Sequence, residues 1–431
     1  MTTFLKARFA DLLAYLASEV LRKYKPKVVM VTGSVGKTST KDAVAAALAH
    51  HYYLRASEKS FNSEYGVPLT VFGEKNPWHS VLDWLRVLKS AIALLLLPNH
   101  YPNLLVLEVG ADRPGDLAKI LRITSPDLLV VTRLPDIPVH VEAYANPEQA
   151  RAEEFSPAYC LAPGAPLIIP ADDLNSVELA ARVPARVITY GYAKEASVHL
   201  GKPHFNREDH AVLGMEAELS LHDAAHTEKA HLLVRGSSGP VQLLPAAAAI
   251  AAAHALGIPL ASARTALESY EPPPGRGRIF AGVGGTTLID DSYNASPAAV
   301  EEALAGLKAF PGAKRRIAIL GDMLELGRYS VAEHERVGVL AADAADVVIT
   351  VGIRARALAE SARAARKEDC VFSYDTAREA AAALPSYIDT GDIILIKGSQ
   401  GIRMERIVAA LLANAADTSR LVRQEAEWKS R

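Results

Sequence analysis

KVVMVTGSVGKTSTKDAVAAALAH, residues 27–50, carries three patterns in succession. Residues 27–32 are an apolar, β-branched run, which reads as a buried strand. Residues 32–39 (TGSVGKTS) then set Gly33 and Gly36 in a tight turn. From Thr38 to His50 the alanine-rich pattern is helical. A strand, a glycine turn and a helix in this order make a phosphate cradle, because amide N–H groups at the helix start point at anionic oxygens. In such a loop Lys37 reaches the β- and γ-phosphates of a nucleotide and the Thr38 hydroxyl ligates Mg2+. The common spacing G-x-x-x-x-G-K-[ST] would put a glycine where this chain has Val31, so the loop is a shortened variant. Gly33, Ser34, Val35, Gly36, Lys37, Thr38 and Ser39 are its candidate nucleotide contacts.

Further apolar runs follow at 104–109, 127–132, 166–170 and 186–190, with helical patterns between several of them. Continuous apolar strands alternating with helices argue for a mostly parallel sheet covered on both faces. Residues 197–235 instead alternate polar and apolar, which predicts an antiparallel β insertion. Residues 245–256 (PAAAAIAAAHAL) predict a helix with Pro245 in its first turn. EPPPG at 271–275 is a linker signal. Strands recur after it at 286–290, 315–320, 346–351, 370–374 and 392–396, a second α/β unit. The expected fold is therefore α/β. An amphipathic helix (1–25) precedes a P-loop central domain with a mostly parallel sheet and a β insertion (26–272). A second, Rossmann-like α/β domain follows (273–431).

Composition narrows the function. The 431 residues are 50% hydrophobic and 22% charged, and Lys plus Arg (47) nearly balances Asp plus Glu (49). Such a chain has no global attraction to nucleic acid. Two cysteines exclude a disulfide scaffold and a four-cysteine zinc site, and fit a reducing, cytoplasmic setting. The most apolar stretch, WLRVLKSAIALLLL at 84–97, has an unbroken run only from Ala91 to Pro98, short of the roughly 18 residues that span a bilayer.

TGSVGKTS is similar to the ATP loop of the Mur ligases, which build peptidoglycan peptides. Other stretches resemble that family in the same order: FNSEYGVPLT (61–70), LEVGADRPGD (107–116), DDSYNASP (290–297), ILGDMLELG (319–327) and IKGS (396–399). The last three are most similar to the branch that attaches a D-alanyl-D-alanine dipeptide. The resemblance spans about residues 26–415 and implies an ATP-dependent ligase. Such an enzyme activates a carboxylate as an acyl phosphate and passes it to an amine. It also implies roles for residues outside the loop. Glu108 and His140 would ligate Mg2+ with Thr38, and Arg276 would meet the γ-phosphate, a place Arg278 could take instead. Asp290, Asp291, Tyr293 and Asn294 would contact ATP when the domains close. Asn62, Glu154, Lys397 and Ser399 would lie on the substrate side.

The chain departs from the family pattern in four places. Where the family carries a lysine carbamylated by CO2, ARAEEF (150–155) puts Glu154; Glu154 supplies the negative charge itself, or Glu153 and Glu154 form a solvated helix face. Pro245 stands where an adenine-binding asparagine is expected. The ATP loop begins near residue 32, which leaves one predicted helix in place of the family's UDP-binding domain. Residues 78–97 are an apolar addition that packs on the N-terminal helix as core, or meets a membrane, a lipid-linked substrate or a partner protein. The expected function is ATP-dependent amide ligation of a cell-wall peptide carboxylate, with D-alanyl-D-alanine as the incoming amine. The alternatives are a Mur-type ligase with another acceptor, such as a polyglutamate or a lipid-linked one, and a weakly active nucleotide-binding scaffold.

Overall fold

The computed structural model describes residues 3–78, 80–209, 211–223, 226–365 and 368–429. The chain divides into two compact units. Unit 1 comprises Met1–Lys202, Glu218–Leu232 and Leu244–Tyr270, and unit 2 comprises Pro203–Ala217, Leu233–Leu243 and Glu271–Arg431.

Seven parallel strands run through unit 1 among the described residues: β1 (Lys27–Thr32), β2 (Leu54–Ala56), β3 (Leu104–Glu108), β4 (Leu128–Val131), β5 (Pro166–Pro170), β6 (Arg186–Gly191) and β7 (Val198–Leu200). Their spatial order is β7-β6-β5-β4-β1-β3-β2. β1 lies between β3 and β4, with Val29 opposite both Val106 and Leu128, so five of its six residues are buried. The unbroken apolar runs read from sequence follow from this two-sided cover. Between β3 and β4 the chain crosses β1, and the loops that leave the three strand ends open at one edge of the sheet. Such a reversal of strand order is where α/β sheets bind ligands. The segment expected as an antiparallel insertion forms β8 (His204–Glu208), β9 (Ala211–His222) and β10 (Thr227–Arg235); β9 runs antiparallel to β7 and to β8.

Helix α1 (Thr3–Tyr24) buries Leu13, Ala17 and Val20 on one stripe against the sheet core. α2 (Lys37–Leu48) follows β1, and α3 (Gly66–Phe72) and α4 (Val81–Leu96) precede β3. α4 is the apolar addition. Val87, Ala91 and Leu94 pack inward, and Lys23 Nζ of α1 donates to the carbonyls of Leu94, Leu95 and Leu97 at 2.8–3.0 Å. Those carbonyls end the helix and have no intrahelical partner of their own. The other face is not core: Val81, Leu85, Ile92 and Leu96 recur on one side and are 48–75% exposed. His79, near the start of the 78–97 segment, lies outside the described residues. No described helix is long and apolar enough to cross a membrane. Two short helices complete the elements near the sheet edge, α5 (Asp116–Leu121) and α6 (Pro147–Phe155).

Unit 2 holds a second sheet of β11 (Arg278–Gly282), β12 (Thr286–Asp291), β13 (Arg315–Gly321), β14 (Val347–Val351), β15 (Val371–Tyr374) and β16 (Asp392–Lys397), in the order β11-β12-β16-β13-β14-β15. Only β11 is antiparallel. Leu288, Ile317, Ile319, Ile394 and Ile396 form its core with Ile407 and Val408 of the helix Glu405–Leu411.

Candidate active site

The loop after β1 is shaped by two left-handed glycines, Gly33 (φ 123°) and Gly36 (φ 91°). A side chain at Gly33 would also put its Cβ 2.3 Å from Thr132 Oγ1 and 3.0 Å from the Thr132 backbone, so the loop can press against the end of β4 only as glycine. The amides of Ser34 and Val35 donate to Arg133 O. α2 then starts at Lys37 with no side-chain cap, which leaves its first N–H groups available to an anion. Lys37 Nζ folds back to donate to Gly33 O and lies 3.4 Å from Glu154 Oε1. Thr38 Oγ1 is 3.2 Å from Ser60 Oγ, and Ser39 O accepts from Tyr270 Oη at 3.1 Å. The buried Ser34 Oγ has no hydrogen-bond partner.

Three more segments meet this loop. Glu108, 1% exposed, ends β3 one register step from the loop, opposite Val31, and its N–H donates to Ser57 Oγ. Two residues on, the N–H of Gly110 donates to Asn62 O. A Cβ at Gly110 would sit 3.2 Å from both Asn62 Nδ2 and Lys37 Cε, so this glycine is what lets Asn62 and Lys37 approach. Lys41, wholly inside, donates to Ser57 O at 2.6 Å and Lys59 O at 3.1 Å and so fixes the segment that carries Ser60 and Asn62.

Glu153 and Glu154 on α6 do not form a solvated face. Glu153 Oε1 accepts from the N–H groups of Gly115 and Leu117 and caps α5. Glu154 is 5% exposed, and Thr32 Oγ1 donates to its carbonyl at 2.7 Å and its carboxylate at 3.1 Å. The helical spacing places neighbouring residues 100° apart, and here both directions point into the protein. His140 sits in the left-handed region (φ 63°), with Nε2 3.4 Å from Asp112 Oδ1. Among the described residues no three His, Cys, Asp or Glu side chains converge as a metal set. The hydroxyl of Thr38 and the carboxylate of Glu108 are hard oxygen donors, and they suit Mg2+, which takes one or two protein oxygens and completes its shell with phosphate and water.

The remaining candidates lie in unit 2. The Arg276 guanidinium is 4.2 Å from the Tyr293 ring centroid, whereas Arg278 pairs with Glu271. Gln242, which no sequence pattern marks, holds this turn: its Nε2 donates to Arg276 O and Gly277 O, both at 2.8 Å. Lys397 Nζ reaches Asp291 Oδ2 at 2.7 Å and Asn294 O at 3.0 Å. Ser399 Oγ donates to Ala295 O and accepts from the Leu324 N–H. Asp290 is fully buried; its Oδ1 accepts from the Ser292 N–H and Oγ, and its Oδ2 has no hydrogen-bond partner.

Burial pushes the Asp290 carboxyl up to about 6, although the Ser292 bonds pull the other way. The folded state therefore holds this proton more tightly than the unfolded chain does. Asp290 favours folding below the ordinary carboxylate range, and that contribution is lost as pH rises through about 6. The difference is worth about 3 kcal/mol. Calorimetric melting of the full chain between about pH 4 and 7 is expected to show a loss of stability that Asp290→Asn lacks; equal slopes in the two proteins would remove Asp290 as its cause.

Comparison with known proteins gives this arrangement a family. Residues 31–251 match the family model described as the Mur ligase middle domain. The chain belongs to the Mur ligase family. Residues 275–400 of this Mur ligase match the companion model, the Mur ligase glutamate ligase domain. The chain is 27% identical over 410 residues to the UDP-N-acetylmuramoyl-tripeptide–D-alanyl-D-alanine ligase of Bacillus subtilis, covering 93% of this chain and 79% of that protein. It is 29% identical to the Mycobacterium leprae protein of the same name, covering 90% and 74%. Among solved structures, a MurF ligase of Thermotoga maritima in complex with ADP superimposes with a TM-score of 0.75 at 26% identity, covering 93% of this chain and 83% of that one.

Proposed function

We propose that this Mur ligase is an ATP-dependent, ADP-forming amide ligase of peptidoglycan precursor synthesis that adds D-alanyl-D-alanine to a muramoyl peptide. The observation that carries the reading is the convergence of Lys37, Thr38, Asn62 and Glu108 on one glycine loop at the sheet's switch point. The relatives named for this reaction support it, as does the ADP complex of the Thermotoga protein.

In this reading the first amides of α2 and Lys37 hold the β- and γ-phosphates of ATP, and Arg276 would meet the transferring phosphoryl group when the domains close. Phosphoryl transfer asks for position and charge compensation more than for covalent help, which is what these groups offer. Thr38 and Glu108 would hold Mg2+, which when bound would neutralise phosphate charge, and His140, beside Asp112, is the further ligand that the family resemblance implies. A peptide carboxylate oxygen attacks the γ-phosphorus, and ADP leaves. The amine then attacks the acyl carbon, phosphate leaves with the bonding electrons, and the amine gives up a proton. Asp290, Tyr293 and Asn294 would contact the nucleotide when the domains close. Asn62 and Glu154 stand on the substrate side, and Lys397 and Ser399 act through the Asn294–Ala295 backbone that they hold.

A second reading of the acceptor rests on α4. Its exposed stripe adjoins a cavity of about 650 Å3 lined by Phe9, Phe61, Tyr65, Trp78, Trp84 and Leu88, with Ser60 at its edge. Ser60 is the residue that touches Thr38, so an apolar group seated there would lie beside the ATP loop. That surface suits a lipid-linked muropeptide or a lipid bilayer. The test is a mass-spectrometric assay with Mg-ATP and D-alanyl-D-alanine, given either UDP-linked or lipid-linked muramoyl tripeptide. Product from the UDP-linked acceptor supports the first reading, and product from the lipid-linked acceptor alone supports the second. ATP binding without product from either points to a scaffold.

A further inference from the structure

Three consecutive carbonyls of the DDSYN segment accept from buried cations. Arg423 donates from Nη1 to Ser292 O at 3.4 Å and from Nη2 to Tyr293 O at 2.7 Å, and Lys397 donates to Asn294 O at 3.0 Å. The N–H groups are held as well: Ser292 donates to Asp290 Oδ1 and Tyr293 to Gly275 O. Arg423 is itself fixed. Its side chain is 3% exposed, its Nη1 pairs with Glu405 Oε2 at 2.9 Å, and its guanidinium lies 5.4 Å from the Tyr293 ring centroid and 5.7 Å from that of Trp428. The second oxygen of Glu405 takes Arg403 Nε at 2.6 Å. Both arginines hold left-handed backbones, φ 60° at Arg423 and φ 65° at Arg403, which a non-glycine residue keeps only when its surroundings impose it.

A buried ion pair is a poor device for stability, since apolar side chains of equal volume serve as well or better. What two guanidinium donors on adjacent carbonyls do achieve is a single backbone conformation. That conformation sets the Tyr293 ring, on which the Arg276 guanidinium rests, and the Asn294 backbone that Lys397 holds. We infer that Arg423, oriented by Glu405, is a positioning residue for the ATP-contacting loop at Asp290–Asn294. It acts from a C-terminal segment beyond the residues that match the family model. The inference rests on the proposed role of that loop as a nucleotide contact.

The test uses the full chain and the amide-forming assay. Arg423→Lys keeps the charge but cannot bond two carbonyls and Glu405 together, so it is expected to raise KM for ATP at least tenfold while KM for the amine stays unchanged. Arg423→Met should do the same, and Glu405→Gln should give a smaller rise. Hydrogen–deuterium exchange of a peptide covering residues 288–300 should quicken in all three. If Arg423→Met does not fold, the other two variants decide. Variants that melt earlier with unchanged KM for ATP and unchanged exchange would reduce Arg423 to a structural role and overturn the inference. Tyr293→Ala and Asn294→Ala report on the underlying reading: if neither changes KM for ATP, the loop is no nucleotide contact and the inference falls with it.

Discussion

Lys37→Ala is expected to lower kcat/KM for amide formation by at least about a thousandfold, about 4 kcal/mol of transition-state stabilisation. Lys37 lies between the loop and Glu154, and its stem approaches Gly110. Its ammonium rests on Gly33 O, and a phosphate entering the cradle would take over that donor. The protein should still fold, because the loop is set by Gly33, Gly36 and the strands around them, and because Glu154 keeps its hydrogen bond from Thr32. A melting temperature within a few degrees of wild type, beside lost product and lost ADP, is the expected pair of results. Near-normal turnover in Lys37→Ala would mean that the nucleotide lies elsewhere.

Glu154 should give the second large effect. The family resemblance implies a carbamylated lysine where this chain has Glu154, whose side chain is buried, hydrogen-bonded by Thr32 and 3.4 Å from Lys37 Nζ. A fixed carboxylate needs no CO2. The ligase activity is therefore expected to be the same in CO2-depleted buffer and with added bicarbonate. Glu154→Gln keeps the size and removes the charge, and should lower kcat/KM by about a hundredfold, the scale of one preorganised electrostatic contact. Bicarbonate should not rescue it. Wild-type activity that depends on bicarbonate would place the carbamate on another residue, and full activity in Glu154→Gln would leave the charge without a catalytic part.

The fold was legible where its signals are local. The apolar strand, the glycine turn and the helix of residues 27–50 adjoin one another, and their order stands unchanged in β1, its loop and α2. The parallel sheets were legible because a strand buried on both faces must be apolar throughout. The site was legible only in part. Gly110 approaches Lys37 across more than seventy residues of chain, and periodicity carries no information on such a pairing. The same holds for Glu153, which caps a helix more than thirty residues earlier, and for Gln242 and Arg423, whose partners include backbone carbonyls that no side-chain pattern marks. α4 was half legible: its apolar content was plain, but which stripe faces the core depends on α1 and on Lys23.

The central claim is that ATP activates a carboxylate by phosphorylating it, and isotope transfer tests it most directly. The muramoyl tripeptide is labelled with 18O in its reacting carboxylate and turned over with Mg-ATP and D-alanyl-D-alanine, using whichever carrier supports turnover. The account predicts one 18O atom in the phosphate released for each amide formed, and none in ADP. Amide formation with unlabelled phosphate would contradict the acyl phosphate route, and with it the roles given to Lys37 and Arg276.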